Sequence, residues 1–146
     1  MVDSMENKKI QTFMDLRVWQ EGHAIVMEIY KITKNFPRDE QFGLTSQMRR
    51  AAVSITSNIA EGFGRQSRKE KVQFYAISQG STLEIQNQLL IARDAEYITH
   101  QVCSILFEKL TILSKSMSAL ILAIRRSISG SFPSTIYHLP STEIHG

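Results

Sequence analysis

Four cations crowd one short stretch of the chain: Arg65, Arg68, Lys69 and Lys71, relieved only by Glu70. Through Gly64, eight Lys and Arg balance eight Asp and Glu, whereas residues 65–71 carry a net charge of +3, equal to the formal charge of the whole chain. The chemistry of such a corner is electrostatic capture of phosphates, which needs cations within reach of a backbone and no reading of bases. Arg49 and Arg50 form a second cationic pair upstream. Cations at the start of a helix oppose its dipole, which argues for a task rather than for helix stability. The bland alternative is a solvated turn.

Other constellations offer little. His23, His100, His138 and His145 share no metal-ligand spacing, and Glu28, Glu61, Glu84 and Glu108 lack the histidine three residues on that a di-iron bundle uses. Cys103 is the single cysteine, so no disulfide can form within the chain, and its neighbours Val102 and Leu106 make it a small core residue. Gly62-Phe63-Gly64-Arg65 follows a helical pattern rather than a strand, unlike the phosphate loops built on glycine. The expectation is a protein that is no enzyme, with no catalytic residues, no metal, no cofactor and no small-molecule substrate.

One stretch combines helical period with poor helix formers. Gln47, Arg50, Ser54, Ser57 (or Asn58) and Glu61 lie opposite an apolar stripe. Serine and asparagine side chains compete for backbone hydrogen bonds, so a run of them in a helix needs a reason. Close approach of another helix is one, and Ala76, Ser78, Gly80 and Ser81 match it downstream. Packing within the chain and contact between subunits both fit. For the second, the candidate residues are Trp19, Gln47, Ser54, Asn58 and Glu61, with Phe13 and Leu16 beside Trp19.

The elements that must hold these groups are helical. Pro37, Pro133 and Pro140 are the only prolines, which leaves a long stretch open to helices. Val18, Gly22, Ile25, Ile29, Ile32 and Phe36 recur at gaps of three and four, so a helix is predicted over residues 17–36, ended by Pro37. A second is predicted over 45–63 on Met48, Ala52, Ile55, Ile59 and Phe63, with Thr45 or Ser46 as cap. A third, over 67–93, opens with the capping box Ser67 to Glu70 and carries Phe74, Ser78, Ser81, Ile85, Leu89 and Ala92. The fourth spans 99–128 on a stripe from Val102 to Ile128, with Arg125 and Arg126 suiting the dipole at its end.

Four amphipathic helices with short links predict an all-α fold: one domain over residues 13–128, an antiparallel up-down-up-down four-helix bundle. Residues 1–12 and 129–146 lack a lasting period and are predicted to be flexible ends. With 146 residues and 42% hydrophobic content the chain can bury a core. No apolar run reaches a membrane span and the start of the chain lacks a signal peptide, so no membrane association and a cytoplasmic location are expected.

Three stretches carry a family likeness: Asp15 to Gln20 with Tyr30 to Pro37, Gly43 to Ile55, and Ser57 to Arg65. Across roughly residues 13–125 the chain resembles the four-helix-bundle proteins encoded by intervening sequences in bacterial 23S ribosomal RNA genes. That resemblance implies a cytoplasmic bundle assembled as a homopentamer, with no enzymatic activity. It also implies a distant likeness to the accessory protein of diversity-generating retroelements, a basic pentamer that binds nucleic acid. Members often have proline where this chain has Thr56. Two functions follow as expectations. One is a homo-oligomeric module that binds RNA or DNA through Arg49, Arg50, Arg65, Arg68, Lys69 and Lys71. The other is a protein-interaction scaffold without nucleic-acid binding.

Overall fold

The structure, a computed structural model, describes residues 9–127. Among them the chain forms four α-helices and no strand: α1 (Arg17–Thr33), α2 (Leu44–Gly64), α3 (Arg68–Asp94) and α4 (His100–Arg126). Two 3₁₀ turns, Phe13–Asp15 and Arg38–Glu40, precede α1 and α2. The expectations for residues 1–8 and 128–146 lie outside the described residues. Within the described part of the N-terminal segment, Ile10 packs on the core, and Asp15 Oδ2 accepts from the amides of Gln11 (2.9 Å) and Thr12 (3.0 Å).

α1 packs against α2 and α4, α2 also against α3, and α3 also against α4. Between them lies one core in which Ile25, Ile29, Met48, Ile55, Ile85 and Leu110 are fully buried. Each contributes on the order of 1.5–3 kcal/mol of apolar burial. The expected stripes of α1, α2 and α4 supply most of it. In α3 the inward aromatic is Tyr75, not the expected Phe74, which is half-buried. The face that buries Ser78, Thr82 and Ile85 also takes in Tyr75, three residues before Ser78, and leaves Phe74 at its margin.

Helix ends follow local chemistry. α1 stops at Thr33, short of the expected Phe36. The amides of Asn35 and Phe36 close onto the carbonyls of Ile32 (3.3 Å) and Thr33 (3.2 Å), tightening the turn, because Phe36 precedes Pro37 and is pushed out of the helical region. Phe36 then turns inward, its ring 5.3 Å from that of Tyr97. α2 begins at Leu44, and its cap is neither Thr45 nor Ser46. Glu40 Oε1 accepts from the Leu44 amide at 3.2 Å, while Glu40 Oε2 accepts from the Tyr97 hydroxyl at 2.9 Å. One carboxylate thereby caps α2 and ties the α1–α2 link to the α3–α4 link. The expected cap of α3 is in place, with Ser67 Oγ accepting from the Glu70 amide, and Thr99 Oγ1 caps α4 by accepting from the Val102 amide, both at 3.1 Å.

α3 ends in a Schellman closure. The Tyr97 amide donates to the Ala92 carbonyl (2.8 Å) and the Glu96 amide to the Arg93 carbonyl (3.0 Å). Glu96 takes the left-handed position, with φ of 65°.

Candidate nucleic-acid interface

The small polar stripe of α2 is spent largely inside the chain. Ser78 Oγ donates to the Ile55 carbonyl (2.9 Å) and Ser81 Oγ to Ser54 Oγ (2.8 Å). Asn58 Nδ2 donates to the Ser54 carbonyl (2.8 Å) and to Ser54 Oγ (3.0 Å). Hydroxyls and small residues let α2 and α3 approach while satisfying each other's polar atoms. Ala76 and Gly80 do not take part. They are exposed, and a Cβ on Gly80 would meet nothing within 4 Å. Ser78 and Ser81 are three residues apart on one face, whereas 76 and 80 fall on the other. Gln47 and Glu61 are exposed. Trp19 is half-buried, edge-on to Phe13 (5.4 Å) and stacked on His23 (4.7 Å).

The six cations singled out in the sequence fall into two kinds. Three are engaged within the chain. Lys71 Nζ donates to the carbonyls of Gly62 (3.2 Å) and Phe63 (2.8 Å), capping the end of α2. Partial burial holds its pKa below the usual lysine value. Arg65 pairs with Glu61 at 2.9 Å and lies 4.7 Å over the Phe74 ring. Arg49 Nε donates to Thr33 Oγ1 (2.9 Å), with its guanidinium 4.9 Å over the Tyr30 ring.

The other three, Arg50, Arg68 and Lys69, are exposed and have no carboxylate within ion-pair distance among the described residues. Arg68 and Lys69 line a cleft of ≈ 360 Å³ with Val72, Gln73 and Arg125. Arg125, in the last turn of α4, thus joins the first turn of α3. Its place in the sequence marked it only as a complement to the helix dipole. Among the described residues Arg125 also has no carboxylate within ion-pair distance, and three such cations around one cleft can hold an anion.

A second cleft, of ≈ 520 Å³, is lined by Tyr30, Gln41, Phe42, Thr45, Ser46, Arg49, Arg50 and Val53. Phe42 stands 89% exposed on the α1–α2 link. The sequence reading missed it, since an isolated phenylalanine in a link has no periodic signal.

Among the described residues no three His, Cys, Asp or Glu side chains gather as metal ligands, and no helix is long and apolar enough to cross a membrane. Cys103 is buried, with Sγ 3.6 Å from the Leu89 carbonyl.

The model of the 23S rRNA-intervening sequence protein family matches residues 14–119. The chain belongs to that family. The match takes in α1, α2 and α3 whole and most of α4. Thr56 Oγ1 donates to the Val53 carbonyl (3.3 Å), and α2 runs through it without a break. Among solved structures, the chain is similar to a protein of unknown function from the S23 ribosomal protein family of Bacteroides thetaiotaomicron. The two share 23% identity with a TM-score of 0.67, over 71% of this chain and 97% of the other. That likeness shows a shared fold. No curated protein matches the chain.

Proposed function

We propose that this 23S rRNA-intervening sequence protein is a cytoplasmic, non-enzymatic homo-oligomer of up-down-up-down bundles, which binds RNA or DNA through phosphate contacts without reading sequence. The carrying observation is the cleft that brings Arg68, Lys69 and Arg125 together with no ion-pair partner among the described residues. Arg50 adds a further exposed cation with no ion-pair partner among the described residues. The antiparallel course is supported by the order of contacts: Gly62 meets Tyr75, Ile55 meets Ser78 and Ser54 meets Ser81, so numbers fall along α2 as they rise along α3.

Assembly is supported by α3. Its outward face carries Ile77, Leu83 and Ile91, all exposed, beside Ala76 and Gly80, with Glu84 the single acid on that face between Gln73 and Ile91. Large apolar side chains left exposed on the outward face of a packed helix want a second partner. A homopentamer, as the family resemblance implies, would repeat each weak anion cleft five times and raise avidity without new contacts. The same face favours the second reading, a scaffold that docks a protein and uses its cations for solubility alone.

The test is retention of labelled RNA across a salt series. Wild type is expected to bind at low salt and release as salt rises. Arg68→Ala with Arg125→Ala is expected to weaken binding for all sequences and to reduce the salt slope by about 2. No binding at low salt, or binding indifferent to both substitutions, rejects the nucleic-acid reading in favour of the scaffold.

A further inference from the structure

We propose that the cleft beside Phe42 seats an unpaired nucleobase, so that the protein prefers single-stranded over duplex nucleic acid. The proposal rests on the nucleic-acid reading above and adds a second, chemically different contact to it. Phe42 is 89% exposed, so a large apolar ring forgoes the burial that would ordinarily stabilise it. Its turn is nevertheless braced. The amides of Gln41 and Gly43 close onto the carbonyls of Arg38 (3.1 Å) and Glu40 (3.0 Å), and the Glu40 carboxylate is held on both oxygens by the Leu44 amide and the Tyr97 hydroxyl. The ring is therefore carried on a fixed support rather than on a loose loop.

Its surroundings match a nucleotide. No carboxylate lines the cleft, while two arginines do. Arg49 is immobilised between Thr33 and the Tyr30 ring, and Arg50 is exposed with no ion-pair partner among the described residues. Gln41, Thr45 and Ser46 supply amide and hydroxyl groups that can hydrogen-bond a base edge. An aromatic platform beside cations is how proteins hold single strands without sequence preference: the base stacks and the cation takes the phosphate. A duplex keeps its bases stacked on each other and cannot use the platform. A peptide ligand fits less well, because only an acidic segment would suit the charge and such a segment would not need the ring.

The two clefts lie at opposite ends of α2, whose 21 residues span about 30 Å at 1.5 Å per residue, so each can be removed without touching the other. The experiment compares a 20-nucleotide single-stranded RNA with a duplex of the same length by fluorescence anisotropy. It uses wild type, Phe42→Ala, Phe42→Trp, and Arg68→Ala with Arg125→Ala. Phe42→Ala is expected to lower single-strand affinity roughly 5- to 150-fold, the value of one stacked base, and to leave duplex affinity and salt slope unchanged. Phe42→Trp is expected to keep single-strand affinity, with its fluorescence quenched on binding. Equal affinity for both forms, or a Phe42→Ala protein that loses neither, overturns the base site while the phosphate reading stands. Binding of neither form by wild type overturns both. A fall in the light-scattering mass of Phe42→Ala assigns Phe42 to a contact with a second copy and also overturns the proposal.

Discussion

Gly62 and Tyr75 face each other so closely that no side chain fits between them: a Cβ on Gly62 would lie 2.7 Å from Tyr75 Cε1 and 3.2 Å from Phe74 Cβ. Tyr75 is fully buried and cannot swing into solvent. Gly62 therefore sets the approach of α2 to α3 at the corner that presents the cations. Gly62→Ala gains about 1 kcal/mol of helix propensity and forces overpacking that costs about 1–3 kcal/mol. The net expectation is a loss of up to about 2 kcal/mol, read as a lower urea midpoint. Gly64→Ala is the control: nothing lies within 4 Å of that Cβ, so it is expected to be neutral or slightly stabilising. A Gly62→Ala protein as stable as Gly64→Ala would show that the contact is not tight.

The two lysines at the start of α3 are expected to have separate tasks. Lys71 caps α2, so Lys71→Ala is expected to cost on the order of 1 kcal/mol in thermal unfolding and to leave RNA affinity unchanged. Lys69 is exposed and lines the cleft with Arg68 and Arg125, so under the proposed function Lys69→Ala is expected to leave the melting temperature unchanged and to lower RNA affinity. The opposite pattern in the two variants would assign the tasks the other way round.

Glu96 holds a left-handed conformation that glycine adopts freely, at a cost of about 1–2 kcal/mol for a residue with a Cβ. Glycine gives back part of that through the larger entropy of its unfolded chain, about 0.4–1 kcal/mol. Glu96→Gly is expected to stabilise by about 0.5–1 kcal/mol by the difference of those terms. Differential scanning calorimetry would show it as a raised midpoint, and a lowered midpoint would refute the account of the α3 terminus.

The hydrogen bond from Tyr97 to Glu40 raises the tyrosine pKa above its ordinary value of 10.0, with partial desolvation and the charge of Glu40 adding to it. The folded state then holds that proton more tightly than the unfolded chain. The stabilisation is complete below pH 10 and is lost as pH rises through the folded value. Thermal midpoints of wild type are expected to fall more steeply above pH 10 than those of Tyr97→Phe. Parallel curves would mean that the bond is not formed in solution.

Leu83 is 64% exposed on the outward face of α3. Leu83→Glu at such a site is expected to change the stability of an isolated bundle by no more than about 0.5 kcal/mol. In an assembly that uses this face it buries a charge, and light scattering is expected to show smaller particles. A wild-type protein that is already monomeric at micromolar concentration would reject the assembly, whatever Leu83→Glu does.

The parts of this molecule that sequence alone made legible are those whose partners lie within a turn or two. The stripes of α1, α2 and α4 follow from spacing, and the Ser67 cap from a hydroxyl placed three residues before a free amide. The charge excess of residues 65–71 needs only counting. Tertiary structure decided what depends on the return of a distant segment. It joined Arg125 to Arg68 and Lys69, and it turned Lys71 and Arg65 onto the chain itself. It linked Glu40 to both Leu44 and Tyr97, chose Tyr75 over Phe74, and left Phe42 in the open. The reason is one of range. Backbone period and capping act over one helical turn of about 5.4 Å, whereas which cations stay unpaired depends on which carboxylates, rings and carbonyls the other helices bring within hydrogen-bond reach.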